Sequence, residues 1–385
     1  MDKKPHVLLL FSDTGGGHRS AAEAIIEAIG LEFGDAITTE MVDVFKQHSP
    51  MPINRLPQWY PYMVKVPQLW GAGFNISDGR ARVRAFTATL WPAVSRIARN
   101  IVNSHPSDLV VTVHPLANSF ILKALGKNHP PFVTVVTDMV TTHALWYDTR
   151  ADLICVPTDI ARFRAIEYGM EPDNVITVGQ PIAARYCAPA GDKATLRGKL
   201  GWPRDKFTVV LVGGGEGMGP LGQTARAIDE SGLDLALVVV AGRNARLKKS
   251  LDEHEWRVPT RIYGFTRDLP DFMRAADVLI TKAGPGSIAE SLNAHLPIIL
   301  YAKLPGQEDG NVTYTVDEGA GVWAPTPQRV VSALRDWVTQ PGAREKVVQA
   351  CCHAARPNSS LDIAHAIGDK LGLTVSDQAG SVSTL

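Results

Sequence analysis

A histidine that follows three glycines has the setting most suggestive of chemistry in this sequence. Residues 12–18 read Ser-Asp-Thr-Gly-Gly-Gly-His and lie between a short apolar run and a helix-like pattern. The positive end of a helix dipole lowers the pKa of an imidazole and favours the neutral form that a general base needs. We therefore interpret His18 as a candidate base, with Asp13 and Asp138 as carboxylates that could orient or support it.

Three glycine-rich loops could each hold a phosphate group. Residues 15–17, 213–219 and 281–290 each join a predicted strand to a predicted helix. Unpaired backbone N–H groups and the dipole at such a helix N-terminus bind phosphate without a metal, and Lys282 adds a cation to the third loop. Glycines also make ordinary tight turns, but three such loops together favour phosphate binding, and the Lys282 loop suits a diphosphate. The candidate residues in the last two loops are Gly213, Gly214, Gly215, Lys282, Gly284, Gly286 and Ser287.

The spacing Ser-x-x-Glu occurs near the start of two predicted helices, at Ser20 and Glu23 and again at Ser287 and Glu290. This is the spacing of a capping box, in which two side chains satisfy backbone N–H groups of the first helical turn. A structural role and a ligand-binding role are therefore both open for these glutamates. We favour a ligand role for Glu290 and a cap for Glu23.

A polar segment follows the predicted strand at residues 298–301. Residues 305–311 read Pro-Gly-Gln-Glu-Asp-Gly-Asn, and such side chains can accept from and donate to sugar hydroxyls. A solvent-exposed loop without a binding role would have the same polar composition. Because this segment and the Lys282 loop would line the same edge of one sheet, where α/β proteins bind ligands, we interpret it as part of the site.

An aromatic, proline-containing segment lies in the most basic part of the chain. Residues 44–127 hold ten Lys and Arg against two Asp, and residues 56–70 combine prolines, Met and aromatics. Such a segment suits insertion at a membrane interface beside anionic headgroups. The alternative is an irregular excursion packed on the domain core, and no recognisable RNA-binding motif accompanies it. The aromatic candidates for membrane contact are Trp59, Tyr60, Tyr62 and Trp70.

The candidate site residues have to be positioned by regular secondary structure, and short runs rich in Val, Ile and Leu are the first sign of it. They end in glycine and alternate with helix-like patterns, which predicts an α/β fold with buried parallel strands. The predicted strands are residues 6–11, 109–113, 132–137, 153–156, 175–178, 208–212, 236–241, 261–263, 278–281 and 298–301.

The length and composition favour two folded domains. The chain has 385 residues, of which 45% are hydrophobic and 20% charged, which is typical of soluble globular proteins. Strand, glycine loop and helix recur half a chain apart, and residues 188–206 contain the Pro and Gly typical of a boundary. We expect domains at residues 1–190 and 191–373, followed by a disordered tail at 374–385.

Charge and cysteine usage exclude several classes of function. The 39 Lys and Arg balance 39 Asp and Glu, so the net charge gives no indication of a nucleic-acid partner. The four cysteines have no Cys-x-x-Cys or paired His/Cys spacing, so no metal site is predicted and a reducing compartment is the simplest interpretation. No apolar run reaches the length of a membrane span, and any membrane contact is therefore expected to be peripheral.

These motifs resemble those of the monogalactosyldiacylglycerol synthases and, more distantly, of the processive diacylglycerol glucosyltransferases and the peptidoglycan glycosyltransferase MurG. The likeness runs in order through residues 12–18, 63–65, 68–70, 136–138, 213–220, 281–290 and 306–308. It implies a GT-B fold, in which two Rossmann-like domains face a central cleft, with a lipid acceptor on the N-terminal domain and a nucleotide-sugar donor on the C-terminal one. It also implies an inverting, metal-independent transfer without a cofactor, at the cytoplasmic side of a membrane.

The resemblance implies roles for the candidate residues on both sides of the reaction. His18 would deprotonate the 3-hydroxyl of diacylglycerol, beside Gly16 and Gly17, and that hydroxyl would attack the anomeric carbon of the donor sugar. The glycine loops and Lys282 would stabilise the UDP leaving group. Glu290 would hold the ribose, and the backbone near Phe265 would hold the uracil.

On the sugar side, the resemblance implies that Gln307 and Glu308 hold the hexose. Asn311 and Arg243 are further donor-side candidates. Relatives carry an arginine soon after a Pro-Ile pair, whereas residues 180–185 of this chain read Gln-Pro-Ile-Ala-Ala-Arg. Arg185 could therefore substitute for that arginine from two positions later.

Residues 306–312 and 142–146 look more like the galactosyl than the glucosyl enzymes of this group. We therefore expect UDP-galactose as donor, diacylglycerol as acceptor and anionic membrane lipids as surface partners, with glucosyl transfer from UDP-glucose as the alternative. A partial dinucleotide motif, Gly15-x-Gly17 with Glu40 and Asp43 downstream, gives a weaker interpretation as an NAD-linked oxidoreductase. A non-catalytic lipid- or nucleotide-binding protein is a third possibility.

Overall fold

The computed structural model describes residues 3–13, 16–46, 67–189 and 191–373, which fall into two compact units. The first unit comprises the chain up to Ala184 together with the segment from Asn358, and the second comprises Arg185–Pro357. The change of unit therefore lies a few residues before the predicted boundary at residue 190. The predicted tail at 374–385 lies outside the described residues.

The first unit is built on a parallel sheet that has six strands among the described residues. The strands are β1 (His6–Phe11), β2 (Thr38–Asp43), β3 (Leu109–Thr112), β4 (Phe132–Val135), β5 (Leu153–Val156) and β6 (Val175–Thr177). Their order is β2-β1-β3-β4-β5-β6, and neighbouring strands pair in parallel. The chain therefore leaves β1 towards β2 on one side and returns to β3 on the other, which makes a topological switch point beside β1.

Helices cover both faces of this sheet. They are α1 (Gly17–Phe33), α2 (Pro67–Ser77), α3 (Arg80–Ser104), α4 (Pro115–Leu125), α5 (Asp159–Glu167) and, from the end of the chain, α14 (Ser359–Lys370). Alternate residues of β1 belong to different cores: Leu8 and Leu10 pack with buried side chains of α3 and α4, whereas Val7 and Leu9 pack with those of α1 and α14. Both faces are thus apolar, as a parallel sheet requires.

The second unit has a parallel sheet of its own, again with six strands among the described residues. The strands are β7 (Phe207–Val212), β8 (Leu235–Val240), β9 (Thr260–Tyr263), β10 (Val278–Lys282), β11 (Ile298–Ala302) and β12 (Gly321–Trp323). The order β12-β11-β10-β7-β8-β9 is that of a Rossmann sheet, with its switch point between β7 and β10. The helices are α6 (Lys193–Lys199), α7 (Leu221–Asp229), α8 (Ala245–Asp252), α9 (Leu269–Ala275), α10 (Pro285–Asn293), α11 (Asp309–Asp317), α12 (Pro327–Thr339) and α13 (Pro341–Ala354).

The predicted α/β class and all of the predicted strands are confirmed, with ends that differ by at most two residues. Two strands, β2 and β12, were not predicted. Both lie at sheet edges, where only one side of the strand is paired, and neither has the continuous apolar run on which the prediction relied.

Helix α14 corrects the predicted domain at residues 191–373. Its buried side chains Ile363, Ala364 and Ile367 belong to the core of the first unit. His365 Nε2 lies 2.6 Å from a carboxylate oxygen of Glu32 on α1. The chain therefore returns to the first unit, because the apolar stripe of α14 covers the face of the first sheet that α1 leaves open.

Part of the basic, aromatic segment also differs from expectation. Residues from Pro67 onward form α2, so the end of the segment predicted as irregular is helical, and Trp70 lies in that helix. Trp59, Tyr60 and Tyr62 lie outside the described residues. Among the helices that the structure describes, none is long and apolar enough to cross a bilayer.

The contact between α14 and α1 predicts opposite effects for two Gly-to-Ala substitutions. A Cβ at Gly368 would lie 2.3 Å from the Phe33 ring, whereas a Cβ at Gly30, on the exposed side of α1, would meet nothing within 4 Å. Since Phe33 is buried in the core, we expect Gly368→Ala to lower the free energy of unfolding by about 1–3 kcal/mol through overpacking. Gly30→Ala should raise it by up to about 1 kcal/mol through better helix propensity.

Differential scanning calorimetry of the two variants beside the unsubstituted protein measures both effects. A melting temperature that rises equally in the two variants would contradict the packing of α14 on α1.

Candidate active site

The switch points determine which loops meet at the carboxyl edge of each sheet. In the first unit, β1 lies between β2 and β3, so the loops that follow β1 and β3 diverge and leave a crevice. His18 follows β1 and His114 follows β3. The two histidines, 96 positions apart in the sequence (114 minus 18), are therefore neighbours.

His18 stands in the first turn of α1. Gly16 caps this helix with a φ of 82°, a left-handed conformation that glycine adopts without strain. The Nδ1 atom of His18 lies 3.0 Å from Oγ1 of Thr137. The rings of His114 and Trp146 lie 4.6 and 6.3 Å from its ring, centroid to centroid.

These neighbours shield the His18 imidazole from water and keep it neutral. Burial lowers the pKa of His18 from 6.5 to about 4, and a hydrogen bond with the backbone of Val113 opposes this only in part. Burial and the nearby His18 also lower the pKa of His114 well below 6.5. The predicted neutral imidazole is therefore present, but desolvation and not the helix dipole is its main cause.

The two carboxylates predicted to support His18 contact other groups. Oδ2 of Asp138 accepts a hydrogen bond of 2.7 Å from Nε1 of Trp146, whose side chain is fully buried. Asp138 thus fixes the indole that packs beside His18. Asp13 accepts two hydrogen bonds from the guanidinium of Arg19, at 2.7 and 2.8 Å, and so braces the first turn of α1 from outside.

The predicted cap that involves Glu23 is wrong, and the capping-box alternative for Glu290 does not hold either. The N-cap of α1 is Gly16 and that of α10 is Gly284, so Ser20 and Ser287 lie inside their helices and cannot cap them. Glu23 lies instead 3.8 Å from the guanidinium of Arg19. Glycine takes the N-cap of α1 because the chain enters that helix through a left-handed backbone conformation.

In the second unit, the loop after β7 and the loop after β8 are packed backbone against backbone. A Cβ at Gly213 would lie 2.7 Å from the carbonyl carbon of Gly217, and one at Gly217 would lie 2.3 Å from the carbonyl oxygen of Ala241. A Cβ at Gly242 would lie 2.4 Å from the carbonyl oxygen of Gly215. These glycines are required for close approach, and the result is a compact shell of backbone groups at the switch point.

The amine of Lys282 lies at the centre of this arrangement. A Cβ at Gly284 would lie 2.8 Å from Nζ of Lys282, and one at Gly214 would lie 3.3 Å from its Cε. Nζ is 2.5 Å from Oε1 of Glu308, whose other oxygen accepts from the backbone N–H of Leu304 at 2.8 Å. Glu308 is only 2% exposed, so this ion pair is held firmly in place.

The first turn of α10 starts directly beside Lys282. Gly284 is the N-cap and Pro285 the first helical residue, so Gly286 and Ser287 supply first-turn N–H groups that have no carbonyl one turn earlier. Proline fits this first helical position because a backbone N–H there would have no hydrogen-bond partner within the helix. A cation, glycines and a helix N-terminus therefore come together, as a diphosphate requires.

Glu290 projects from α10 and is held by Tyr186. Burial raises the pKa of Glu290 to about 8, although a hydrogen bond with Tyr186 and the charge of Arg185 act in the opposite direction. At neutral pH the carboxyl is therefore mainly protonated. New hydrogen bonds donated to the carboxylate, for example by a pair of hydroxyls, would favour its ionised form.

Arg243 and Phe265 form a platform beside the glycine loop. The guanidinium carbon of Arg243 lies 4.5 Å from the centroid of the Phe265 ring, which is 57% exposed. The same guanidinium donates to a carboxylate oxygen of Glu216 at 2.9 Å. Glu216 belongs to the glycine loop, and Arg243 neutralises the one acid within it.

The polar segment after β11 is placed next to the loop after β10, as predicted. Nδ2 of Asn311 donates to the carbonyl of Ala283 at 2.9 Å, and Oδ1 of Asn311 is buried without a hydrogen-bond partner among the described residues. Asn311 thus braces the Lys282 loop from behind. Gln307 lies one residue before Glu308 at the same edge.

Several residues that build the site were not singled out from the sequence. They are His114, Thr137, Trp146 and Tyr186, of which Thr137 and Trp146 lie within the segments 136–138 and 142–146 that carry the resemblance. His114 follows a predicted strand and Thr137 ends one, so their positions could have flagged them. Among the described residues, no group of three or more His, Cys, Asp or Glu is arranged to hold a metal ion.

Comparison with known proteins agrees with the predicted resemblance. Residues 18–182 match the family model described as monogalactosyldiacylglycerol (MGDG) synthase, and residues 208–347 match that of the glycosyltransferase family 28 C-terminal domain. Monogalactosyldiacylglycerol synthase 1, chloroplastic, of Arabidopsis thaliana is 35% identical over 381 residues, which are 94% of this chain and 70% of that protein. Synthase 2 of the same plant is 33% identical and covers 100% of this chain and 84% of its own length.

Solved structures show the same fold at low sequence identity. MurG of Acinetobacter baumannii gives a TM-score of 0.60 at 14% identity, covering 95% of this chain and 99% of that one. A complex of MnaA from S. aureus with UDP gives 0.63 at 15% identity, covering 96% and 98%. The predicted GT-B class with two Rossmann-like domains is confirmed.

The environment of His18 predicts an unusual titration. We expect the imidazole NMR signal of His18 to titrate with a midpoint near pH 4, because burial penalises the charged ring. A pH series of histidine spectra measures this, with His18→Ala to assign the signal by its loss. The exposed His353 provides the control: His353→Ala should leave the signal at pH 4 in place. A His18 midpoint at or above 6.5 would contradict the desolvated site.

Proposed function

The chain belongs to the monogalactosyldiacylglycerol synthase family and is a glycosyltransferase, and we propose that it moves galactose from UDP-galactose to the 3-hydroxyl of 1,2-diacylglycerol with inversion. Family membership replaces the interpretation as an NAD-linked oxidoreductase. The observation that carries the proposal is a neutral imidazole, His18, at the switch point of the first unit, on a chain whose second unit has a Lys282 amine among glycine loops.

The pKa of His18 limits how the proton can move. Because burial lowers the pKa of His18, its imidazole is a weaker base than one in water, and full proton transfer from a free alcohol to the ring is strongly unfavourable. A free alkoxide is therefore not formed first. His18 takes the proton as the new C–O bond forms, when the acidity of the attacking hydroxyl rises steeply.

We propose supporting roles for the neighbours of His18. Thr137 and the backbone of Val113 orient the ring, so a nitrogen lone pair can be directed at the acceptor. Asp138 and Trp146 keep water away from the ring and preserve its neutral form. Asp13 acts through Arg19, and Gly16 and Gly17 leave space beside His18 for the acceptor hydroxyl.

On the donor side, the Lys282–Glu308 ion pair suits an exchange of partners. The diphosphate of the donor attracts Nζ of Lys282, and Oε1 of Glu308 then becomes available to accept a hydrogen bond from a sugar hydroxyl. The backbone of residues 213–215 and the first turn of α10 complete the anion site, so the developing UDP charge is stabilised electrostatically. Metal-independent transfer without a cofactor is part of this proposal.

We propose the remaining donor contacts as follows. Glu290, held by Tyr186 with Arg185 nearby, accepts from the ribose hydroxyls. The Arg243–Phe265 platform lies beside the uracil, and the protein backbone near Phe265 contacts the base. Gln307 lies beside Glu308 on the hexose side, and Asn311 acts by bracing the Lys282 loop.

Diacylglycerol stays in the bilayer, so the enzyme has to work at a membrane surface. The basic window between residues 44 and 127 and the aromatic residues Trp59, Tyr60, Tyr62 and Trp70 support peripheral binding to anionic lipids. We propose that these residues bring the first unit to the cytoplasmic side of a membrane.

Replacement of His18 tests the catalytic assignment. We expect His18→Ala to fold normally, to retain UDP binding and to lose transfer by at least about 100-fold, as is typical when a general base is removed. UDP binding is measured by isothermal titration calorimetry and transfer by lipid product formation.

His353→Ala, at an exposed position of α13, is the matched control and should transfer at the normal rate. If His18→Ala keeps normal transfer, the base assignment is wrong. If both variants bind UDP but neither they nor the unsubstituted protein transfer a sugar, the chain is a non-catalytic nucleotide-binding protein.

A head-to-head assay tests donor and acceptor together. Radiolabelled UDP-galactose and UDP-glucose are each supplied with diacylglycerol in mixed vesicles, with and without EDTA. We expect galactolipid as the main product and no effect of EDTA, since Lys282 and backbone N–H groups compensate the diphosphate charge. Glucolipid would correct the sugar, loss of product in EDTA would contradict metal independence, and absence of any lipid product would contradict the acceptor.

A further inference from the structure

Gln180 is a buried polar side chain to which the proposed reaction gives no role. It lies in the segment that follows β6 and is only 7% exposed. Its Nε2 atom donates a hydrogen bond of 2.7 Å to the carbonyl oxygen of Thr137. Because a carbonyl oxygen can only accept, this contact determines which end of the Gln180 amide faces Thr137. Gln180 therefore holds the backbone of a residue that contacts His18.

Thr137 is held through its backbone and contacts His18 through its side chain. It lies two residues past the end of β4, and the amide of Gln180 supplies a donor there in place of a neighbouring strand. Oγ1 of Thr137 lies 3.0 Å from Nδ1 of His18. The three residues thus form one series of hydrogen bonds, although 43 and 119 positions of the sequence separate its successive members.

The segment that carries Gln180 is itself anchored by the first residues of α14. The hydroxyl of Ser359 donates to the carbonyl of Gln180 at 2.6 Å. The hydroxyl of Ser360 accepts from the backbone N–H of Ile182 at 3.0 Å and donates to its carbonyl at 2.8 Å. Both serines are buried. The backbone of Gln180 is therefore fixed, and its amide reaches Thr137 from a defined position.

The other end of the Gln180 amide indicates more than a structural role. Oε1 is buried without a hydrogen-bond partner among the described residues, which is unfavourable for folding. An apolar side chain of similar size would avoid this unpaired oxygen, but it would provide no donor to Thr137. Departures from local rules of this kind are expected mainly at functional sites. The contribution of the amide is therefore the bond that Nε2 donates.

We propose that Gln180 is a positioning residue for His18. By fixing the backbone of Thr137, it keeps Oγ1 within hydrogen-bond distance of Nδ1, which holds the imidazole in one tautomer and one orientation. A base has to be directed at the proton that it takes, and small misplacements are costly in rate. The consequence for catalysis rests on the proposed function of His18, whereas the arrangement of the ring does not.

The tautomer of His18 provides a direct measurement. In a single neutral tautomer the ¹⁵N NMR signals of the two ring nitrogens lie far apart, and exchange between tautomers moves them toward each other. Gln180→Met and Gln180→Leu both remove the amide and keep a side chain of similar size. We expect both variants to bring the Nδ1 and Nε2 signals of His18 closer together at neutral pH.

Substitutions of Thr137 test the second step of the series. Thr137→Val removes the hydroxyl that contacts Nδ1 of His18, so we expect the same change of the ring signals as in the Gln180 variants. Thr137→Ser keeps the hydroxyl and should retain the wide separation. Because Gln180 acts through Thr137, combining Gln180→Met with Thr137→Val should add little to either single change.

Thr208→Val is the matched control. Thr208 is fully buried at the start of β7, and its hydroxyl donates to the carbonyl of Lys206 at 3.0 Å. The substitution is the same as at Thr137 and also removes a buried hydrogen bond, but in the second unit. We expect the His18 signals and the transfer rate of this variant to equal those of the unsubstituted protein.

Steady-state kinetics with diacylglycerol vesicles measure the catalytic consequence. We expect Gln180→Met to lower kcat about 10-fold, since a misdirected base is used less efficiently. KM for UDP-galactose should stay the same, because the proposed donor contacts do not include Gln180 or Thr137. A purely structural role would lower the melting temperature and leave both the ring signals and kcat unchanged.

The two readouts separate this inference from the proposed function. Unchanged His18 signals in both Gln180 variants, equal shifts in Thr208→Val, or a normal kcat of Gln180→Met in an active enzyme would overturn the positioning role alone. If the expected shifts occur while the unsubstituted protein transfers no sugar, Gln180 still positions the ring and the proposed function is wrong.

Discussion

Both units depend on one constraint, which is that all the described strands pair in parallel. A parallel sheet has to bury both of its faces, so its strand interiors are apolar on either side, as Leu8 and Val7 illustrate. Polar side chains are then confined to the strand ends and the loops that follow. The chemistry therefore collects at the carboxyl edges, with His18 after β1, His114 after β3 and Lys282 at the end of β10.

The same burial determines the charge state of an ionisable group in each unit. Desolvation disfavours whichever form is charged, so it lowers the pKa of His18 to about 4 and raises that of Glu290 to about 8. A single cause thus leaves a base and an acid both neutral near pH 7. Lys282 and Glu308 remain a charged pair, and they compensate each other directly.

The sequence predicted the interior of the fold better than its edges. Interior strands such as β7 and β8 are continuous apolar runs, whereas β2 contains exposed and half-buried residues and β12 has only three residues. The place of α14 was missed because an apolar stripe shows that a helix is buried but not which sheet covers it. The predicted cap with Glu23 failed because Ser-x-x-Glu fits any helical turn, and α1 starts instead at the left-handed backbone of Gly16. His114 and Tyr186 reach the site through the order of elements in each unit, which local patterns do not contain.

The repeated strand–glycine–helix motif shows how loop length changes the outcome of similar sequences. After β1 the connection is residues 12–16, and α1 starts at once with a single glycine cap, so a side chain, His18, occupies the first turn. After β7 the connection is residues 213–220, and the extra residues fold back against Ala241 and Gly242, where any Cβ would collide with backbone. The short loop presents an imidazole, which suits proton transfer, and the long loop presents backbone groups, which suit a diphosphate. Glycine content alone therefore marks where a ligand site can form, while the groups that each loop presents, an imidazole after β1 and backbone after β7, differ between the two.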